Sequence, residues 1–165
     1  MQNIVTIRPI NNDYCPQVID IVLTIQQVEF SLPITIEDQP DLRDIEANYH
    51  QGGGNFWGAF LDDELIGTIA LINGGQGLGA IRKMFVKQAY RGKALSVAQQ
   101  LLNTLLQYSG DNNFTDFYLG TVPPLKAAHR FYERNGFLST RADDLPLHFP
   151  RMAADSMFYR LHLNK

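Results

Sequence analysis

The feature that most constrains this chain is residues 81–102, IRKMFVKQAYRGKALSVAQQLL. Met84, Phe85 and Val86 form an apolar run suited to a buried strand. A polar turn over residues 87–91 leads into Gly92-Lys93-Ala94. From Ala94 onward, apolar residues recur at helical spacing: Ala94, Leu95, Ala98, Leu101, Leu102 and Leu105. The stretch therefore reads as strand, tight basic turn, helix. Such a unit aims the free N–H groups and positive dipole end of a helix at one small volume. Arg91 and Lys93 add charge, and the small residues allow close approach, so the unit suits an anion and most naturally phosphate. It is not a P-loop, because GxxxxGK[ST] is absent, and it lacks the GxGxxG of a dinucleotide fold.

The rest of the chain fits one mixed α/β domain over residues 1–165. Residues 4–10 read as a first strand. A helix follows from near Pro16, with Asp13 as cap and Val18, Ile19, Val22, Ile25 and Val28 on its apolar face. Residues 30–33 break it. A second helix is expected over residues 39–49, with Asp38 as cap and Leu42, Ile45 and Tyr49 on one side, stopped by Gly52-Gly53-Gly54. Residues 56–61 and 65–72 form a hairpin around Asp62-Asp63-Glu64, read as a solvated turn rather than a metal site. The glycines of residues 73–79, NGGQGLG, lie between strands and read as a hairpin loop. A strand at residues 115–121 precedes the Pro123-Pro124 turn, and a helix over residues 125–135 is stopped by Gly136. Residues 147–149 and 157–163 close the chain as strands. The expected order is β-α-α-β-β-β-α-β-α-β-β.

Composition narrows the partners. A net charge of −3 argues against general nucleic-acid binding, and makes the cluster Arg82, Lys83, Lys87, Arg91 and Lys93 stand out. Cys15 is the only cysteine, so neither a disulfide nor a thiolate metal cluster is expected. The four histidines show no ligand spacing, and no metal is expected. No apolar run reaches transmembrane length and Met1-Gln2-Asn3 does not open as a signal peptide, so the expectation is a cytoplasmic protein without a membrane partner. An edge strand could support a homodimer.

This order, with two motifs, resembles the GCN5-related N-acetyltransferase (GNAT) family. The family's Q/R-x-x-G-x-G/A, which holds the pyrophosphate of acetyl-CoA, aligns with Arg91-Gly92-Lys93-Ala94-Leu95-Ser96. The late-helix signature N-x-x-A-x-x-x-Y-x-x-x-G-F aligns with Leu125, Ala128, Tyr132, Gly136 and Phe137. The resemblance implies an acetyltransferase moving acetyl from acetyl-CoA, as co-substrate, to a small-molecule or peptide amine by direct attack. It implies that Met84, Phe85 and Val86 pair with the pantetheine arm, with Val86 near the thioester, and that Ala128 lines the cofactor site. Tyr132 becomes the acid that protonates the departing thiolate.

Four positions depart from the family pattern. Ala94 replaces a glycine and Ser96 a glycine or alanine; both are small, and the Ser96 hydroxyl could donate to phosphate. Leu125 replaces an asparagine that often contacts the cofactor. Ala80 stands where many relatives carry a glutamate base. The base is thus left open among Glu29, Glu37, Asp38, His129 and a water chain. These departures keep a second reading in play, a catalytically silent acyl-CoA-binding or sensing module. A phosphate-binding interaction domain unrelated to CoA is the third. Phe30, Trp57, His148 and Phe149 are expected around the acceptor, with an acidic rim of Glu29, Glu37 and Asp38 favouring a cationic amine.

Overall fold

The computed structural model describes residues 4–163; the Met1-Gln2-Asn3 segment lies outside the described residues. Among the described residues, seven strands form one sheet: β1 (Val5–Pro9), β2 (Asn55–Leu61), β3 (Glu64–Gly75), β4 (Leu78–Val86), β5 (Asp116–Thr121), β6 (Leu138–Thr140) and β7 (Met157–His162). Their order across the sheet is β1-β2-β3-β4-β5-β7-β6, so β1 and β6 are its edges. Pairing is antiparallel except between β4 and β5. The α-helices α1 (Cys15–Leu23), α2 (Val97–Asp111) and α3 (Lys126–Arg134) cover the faces. Among the described residues, no helix is long and apolar enough to cross a membrane.

Each face of the sheet has its own core, as alternation along a strand requires. Phe56, Phe60 and Ala70 meet Val18, Ile21 and Val22 of α1 on one side. Trp57, Ala59, Ile69 and Ile81 meet Leu101, Leu102 and Leu105 of α2 on the other.

Several expected elements take another form. Asn11 rather than Asp13 supplies the side-chain cap, accepting from the Asp13 N–H before a short 3₁₀ turn leads into α1. After Leu23 the helix widens into a π-helical turn, Thr24–Glu29, so the 3.6-residue spacing no longer returns each apolar residue to the core. Val28 is therefore 77% exposed, and Gln26 is buried in its stead.

Residues 39–49 do not form one helix. They make 3₁₀ turns at Ile36–Asp38 and Pro40–Arg43 and a π-helical turn at Glu46–His50. Asp44 interrupts them because its carboxylate accepts from the Ala47 N–H and from Asn12, a local alternative to helix hydrogen bonds. Leu42, Ile45 and Tyr49 are still buried together.

The sixth strand is Leu138–Thr140, paired with β7, and not residues 147–149. Pro146 and Pro150 bracket that segment and deny it ladder donors. Phe149 turns inward while Leu147 is 105% exposed.

One irregularity positions everything that follows. β4 and β5 pair only through Leu78, Gly79 and Ala80 with Asp116, Phe117 and Tyr118. Beyond Ala80 they diverge, although β4 continues to Val86 and β5 to Thr121. A bulge in β4 lies opposite Thr68 and Ala70, with Lys83 in the left-handed region at φ 55°. The Thr68 hydroxyl holds it by donating to the Lys83 carbonyl at 2.6 Å.

Candidate active site

The divergence of β4 from β5 opens a wedge whose β4 edge keeps unpaired backbone groups, a template for an extended amide-bearing ligand. Two cavities meet in this wedge. The first, about 450 Å³, runs from Met84, Phe85 and Val86 to the loop before α2. The second, about 370 Å³, lies toward Arg82, Lys83, Gly120 and Asp155. Met84, Phe85, Leu125 and Ala128 line both, so the junction between them is apolar.

At the outer end of the first cavity, α2 begins at Val97 and not at Ala94. Ser96, in the left-handed region at φ 52°, separates a distinct turn from the helix. Val97, Ala98 and Gln99 line the cavity, and first-turn N–H groups have no intrahelical acceptor. Gly92, at φ 111°, has open space where a Cβ would stand. These free donors, the helix dipole and Lys93 form a cradle that fits an anion such as a pyrophosphate. The Ser96 hydroxyl turns back to the Lys93 carbonyl at 2.9 Å and is not offered to that anion.

Arg91, Gly92, Lys93, Ser96 and Ala128 all line the first cavity, as do the three β4 residues. Ala94 is exposed and Leu95 packs against the α2-side core; neither lines it. Arg91 is already engaged: Nε donates to the Val86 carbonyl at 2.8 Å, and both terminal nitrogens grip the Glu29 carboxylate. Glu29 is therefore engaged as the partner of the loop arginine at the end of the first cavity.

Tyr132 lines the second cavity, its ring packed against Phe137 and Tyr159. Among the described residues no hydrogen bond occupies its hydroxyl. Burial, the nearby Asp155 and Tyr159 all push its pKa above the ordinary phenol value, so it keeps its proton at neutral pH.

The expected acceptor wall is redistributed. Phe149 lines the second cavity, but Phe30 lines the first, Trp57 is buried in the α2-side core, and His148 is exposed outside both. Glu37 sits on the surface beside Arg43. Asp38 does reach the cavity, yet its carboxylate accepts from the Thr35 N–H and hydroxyl as a cap. The acidic rim does not exist as a unit. His129 is buried with Nε2 against the Val122 carbonyl at 3.0 Å, a satisfied core residue. Ala80 is buried among Leu78, Phe149 and Phe158.

Asp155 is the residue sequence reasoning missed. It lies in the irregular segment before β7, and nothing local marks it. Its carboxylate rests on the backbone of Gly120, where a Cβ would fall 2.6 Å from Asp155 Cγ. Among the described residues it accepts no hydrogen bond and has no ion-pair partner within 4 Å. Burial raises its pKa, opposed by Arg82, Lys83 and Arg151. A desolvated, uncommitted carboxylate beside a protonated phenol is the pair that proton transfer requires. Among the described residues, no group of three or more His, Cys, Asp or Glu side chains could hold a metal ion.

A mixed sheet splayed between its parallel strands, with an anion cradle at one end of the gap, defines the acyl-CoA N-acyltransferase fold. The sequence model of the acetyltransferase (GNAT) family matches residues 19–137, and the chain belongs to that family. A solved GNAT-family acetyltransferase from Staphylococcus aureus Mu50 is 37% identical, with a TM-score of 0.93 over 97% of this chain and 99% of that one. The PaiA N-acetyltransferase of Thermoplasma acidophilum, solved with coenzyme A, shares the fold at TM-score 0.75 and 16% identity, over 99% of this chain and all of that one. Among curated proteins, N-acetylaspartate synthetase of Xenopus tropicalis is 35% identical over 99 residues, 59% of this chain and 36% of that protein. The chain thus spans about a third of the curated relative's length.

Proposed function

We propose that this protein transfers an acetyl group from acetyl-CoA to an amine by direct attack. The observation that carries the reading is the junction of the two cavities at Met84, Phe85, Leu125 and Ala128, with the Tyr132 side chain on the acceptor side. Relatives named as N-acetyltransferases and as an N-acetylaspartate synthetase support an amine nitrogen as acceptor. The coenzyme A bound in the PaiA structure supports acetyl-CoA as the co-substrate.

Acetyl-CoA supplies an activated thioester carbonyl. The chain's residues do the rest. Val97, Ala98 and Gln99 offer backbone donors and Lys93 a charge to the pyrophosphate, while the open edge of Met84 to Val86 receives the pantetheine amides. On the acceptor side, the Asp155 carboxylate takes the proton of the ammonium, freeing the amine's lone pair. The new C–N bond forms as the C–S bond breaks, and Tyr132 gives its phenolic proton to the sulfur. Asp155 returns its proton to the phenolate, and the second proton on the attacking nitrogen leaves to solvent as the amide forms. The products are an N-acetylated amine and free CoA thiol.

The deciding experiment measures CoA thiol release and product mass with acetyl-CoA and a broad amine panel. Amine-dependent release that falls in Tyr132→Phe supports the reading. Tight CoA binding without turnover on any amine would support the silent acyl-CoA-binding module instead.

A further inference from the structure

The proton-transfer pair and the cofactor cradle leave one part of the second cavity without a use: a cationic floor inside a largely apolar wall. Lys83 and Arg82 are neighbours in sequence, and in a regular strand they would point to opposite faces. The β4 bulge cancels that alternation. Arg82 donates to the Pro150 carbonyl and lies beside the Tyr49 hydroxyl. Lys83 donates to Gln39 Oε1 at 2.6 Å and touches Met152 Sδ at 3.9 Å. Both therefore face the same cavity, from the same strand, on the α1 side of the sheet.

Burying such charges is costly unless something repays it. Lys83 is only 7% exposed, and its ion-pair partner Asp41 stands at 3.7 Å, beyond a direct hydrogen bond. Asp41 is moreover shared with the Tyr49 hydroxyl at 2.5 Å. A guanidinium has five N–H donors, of which Arg82 commits few to protein. Arg151, stacked over the Phe158 ring at 4.9 Å, adds a third cation near Asp155. Of the carboxylates around this floor, Asp38 caps Thr35 and Asp41 is the ion-pair partner of Lys83, which leaves Asp155 without a close partner among the described residues. With Lys83 compensated by Asp41, Asp155 faces Arg82 and Arg151, and the Arg82 guanidinium keeps donors to spare.

We infer that the acceptor is a short amino carboxylate: its carboxylate docks on Arg82 and Lys83, and its amine lies against Asp155. The site is then dipolar, matched to a zwitterion whose two charges sit a few atoms apart. A simple polyamine is disfavoured, because its second ammonium would meet the cationic floor. This inference rests on the acetyl-transfer reading for its orientation of the amine, but the recognition of the carboxylate can be measured without turnover.

The test compares free α- and β-amino acids with their carboxamides, each at saturating acetyl-CoA. Amidation removes the carboxylate and lowers the basicity of the amine, so simple chemical reactivity favours the amide. The expected result is the reverse, with kcat/KM higher for the acid by about tenfold or more. Arg82→Gln and Lys83→Gln should each collapse that acid-to-amide ratio toward one, chiefly through KM for the acid. Calorimetry of the CoA-loaded protein with the same pairs supplies a second readout, in which only the acids bind. Turnover of amides or polyamines as fast as acids overturns the inference and leaves acetyl transfer standing. Acids that bind without being acetylated uphold carboxylate recognition at this site and overturn the transfer reading. If no acid either binds or reacts, the inference is wrong. Should either variant fail to fold, the acid-to-amide comparison on the unaltered protein decides.

Discussion

Gly120 of β5 is the seat of the Asp155 carboxylate: the missing side chain on one is the space occupied by the other. A methyl at position 120 would lie 2.7 Å from Asp155 Cβ, so Gly120→Ala must displace Asp155 from its seat. This pairing makes the role of Asp155 testable twice, once by chemistry and once by displacement. Asp155→Asn is expected to lower kcat about a hundredfold, within the usual span for a general base. Gly120→Ala should give a smaller loss in the same direction, with CoA affinity retained. Normal turnover in Asp155→Asn would assign the base to another group.

The same carboxylate carries a pH signature. Its pKa is raised by burial, so the acid limb of kcat/KM should lie above the range of an ordinary exposed aspartate and vanish in Asp155→Asn. Stability should move the opposite way. A folded-state pKa above the unfolded value means the native state loses stability as pH rises through that window. Asp155→Asn should therefore melt at the same temperature as the parent or higher at neutral pH. A much lower melting temperature would show the carboxylate to be a structural anchor.

Tyr132→Phe keeps the ring contacts with Phe137 and Tyr159 and removes only a hydroxyl without a hydrogen bond among the described residues. Stability and CoA affinity should hardly change. Because a thiolate is already a fair leaving group, kcat should drop by about tenfold to a few hundredfold, the low end for general acid catalysis. An unchanged kcat would place the proton donor elsewhere.

Arg91 and Glu29 bind each other at the first cavity, 62 residues apart in sequence. Arg91→Ala should weaken CoA about three- to tenfold, with the loss shrinking at high salt because the pair is partly exposed. Glu29→Gln should tighten CoA slightly, since it frees the guanidinium and removes a negative charge near the phosphates. Titrations at two ionic strengths decide. Equal weakening in both variants would mean that the pair serves only to hold the loop.

Lys83 predicts a stability slope in alkali. Burial lowers its pKa from 10.5 to about 8. Between those values the unfolded chain binds the additional proton, so native stability should rise with pH across that window. The rise amounts to at most about 3 kcal/mol. Denaturant unfolding of the parent and of Lys83→Met from pH 7.5 to 10.5 measures it as a difference between the two slopes. Parallel slopes would mean that Lys83 titrates like an exposed lysine.

The sequence alone determined the mixed α/β class, the strand-turn-helix around Gly92, and the position of Tyr132 in the late helix. Those features are written in local periodicity and in motif spacing, which survive any packing. The pattern of Leu42, Ile45 and Tyr49 even located a buried face where no continuous helix forms. Tertiary structure decided what local pattern cannot encode. The β4 bulge set Lys83 beside Arg82, a consequence of how β3 pairs with β4 and of the Thr68 hydroxyl 15 residues away. Chain return through β7 laid Asp155 on Gly120, and the π-helical turn after α1 brought Glu29 to Arg91. Which charges face each other depends on contacts between distant segments, and neither periodicity nor propensity carries that information.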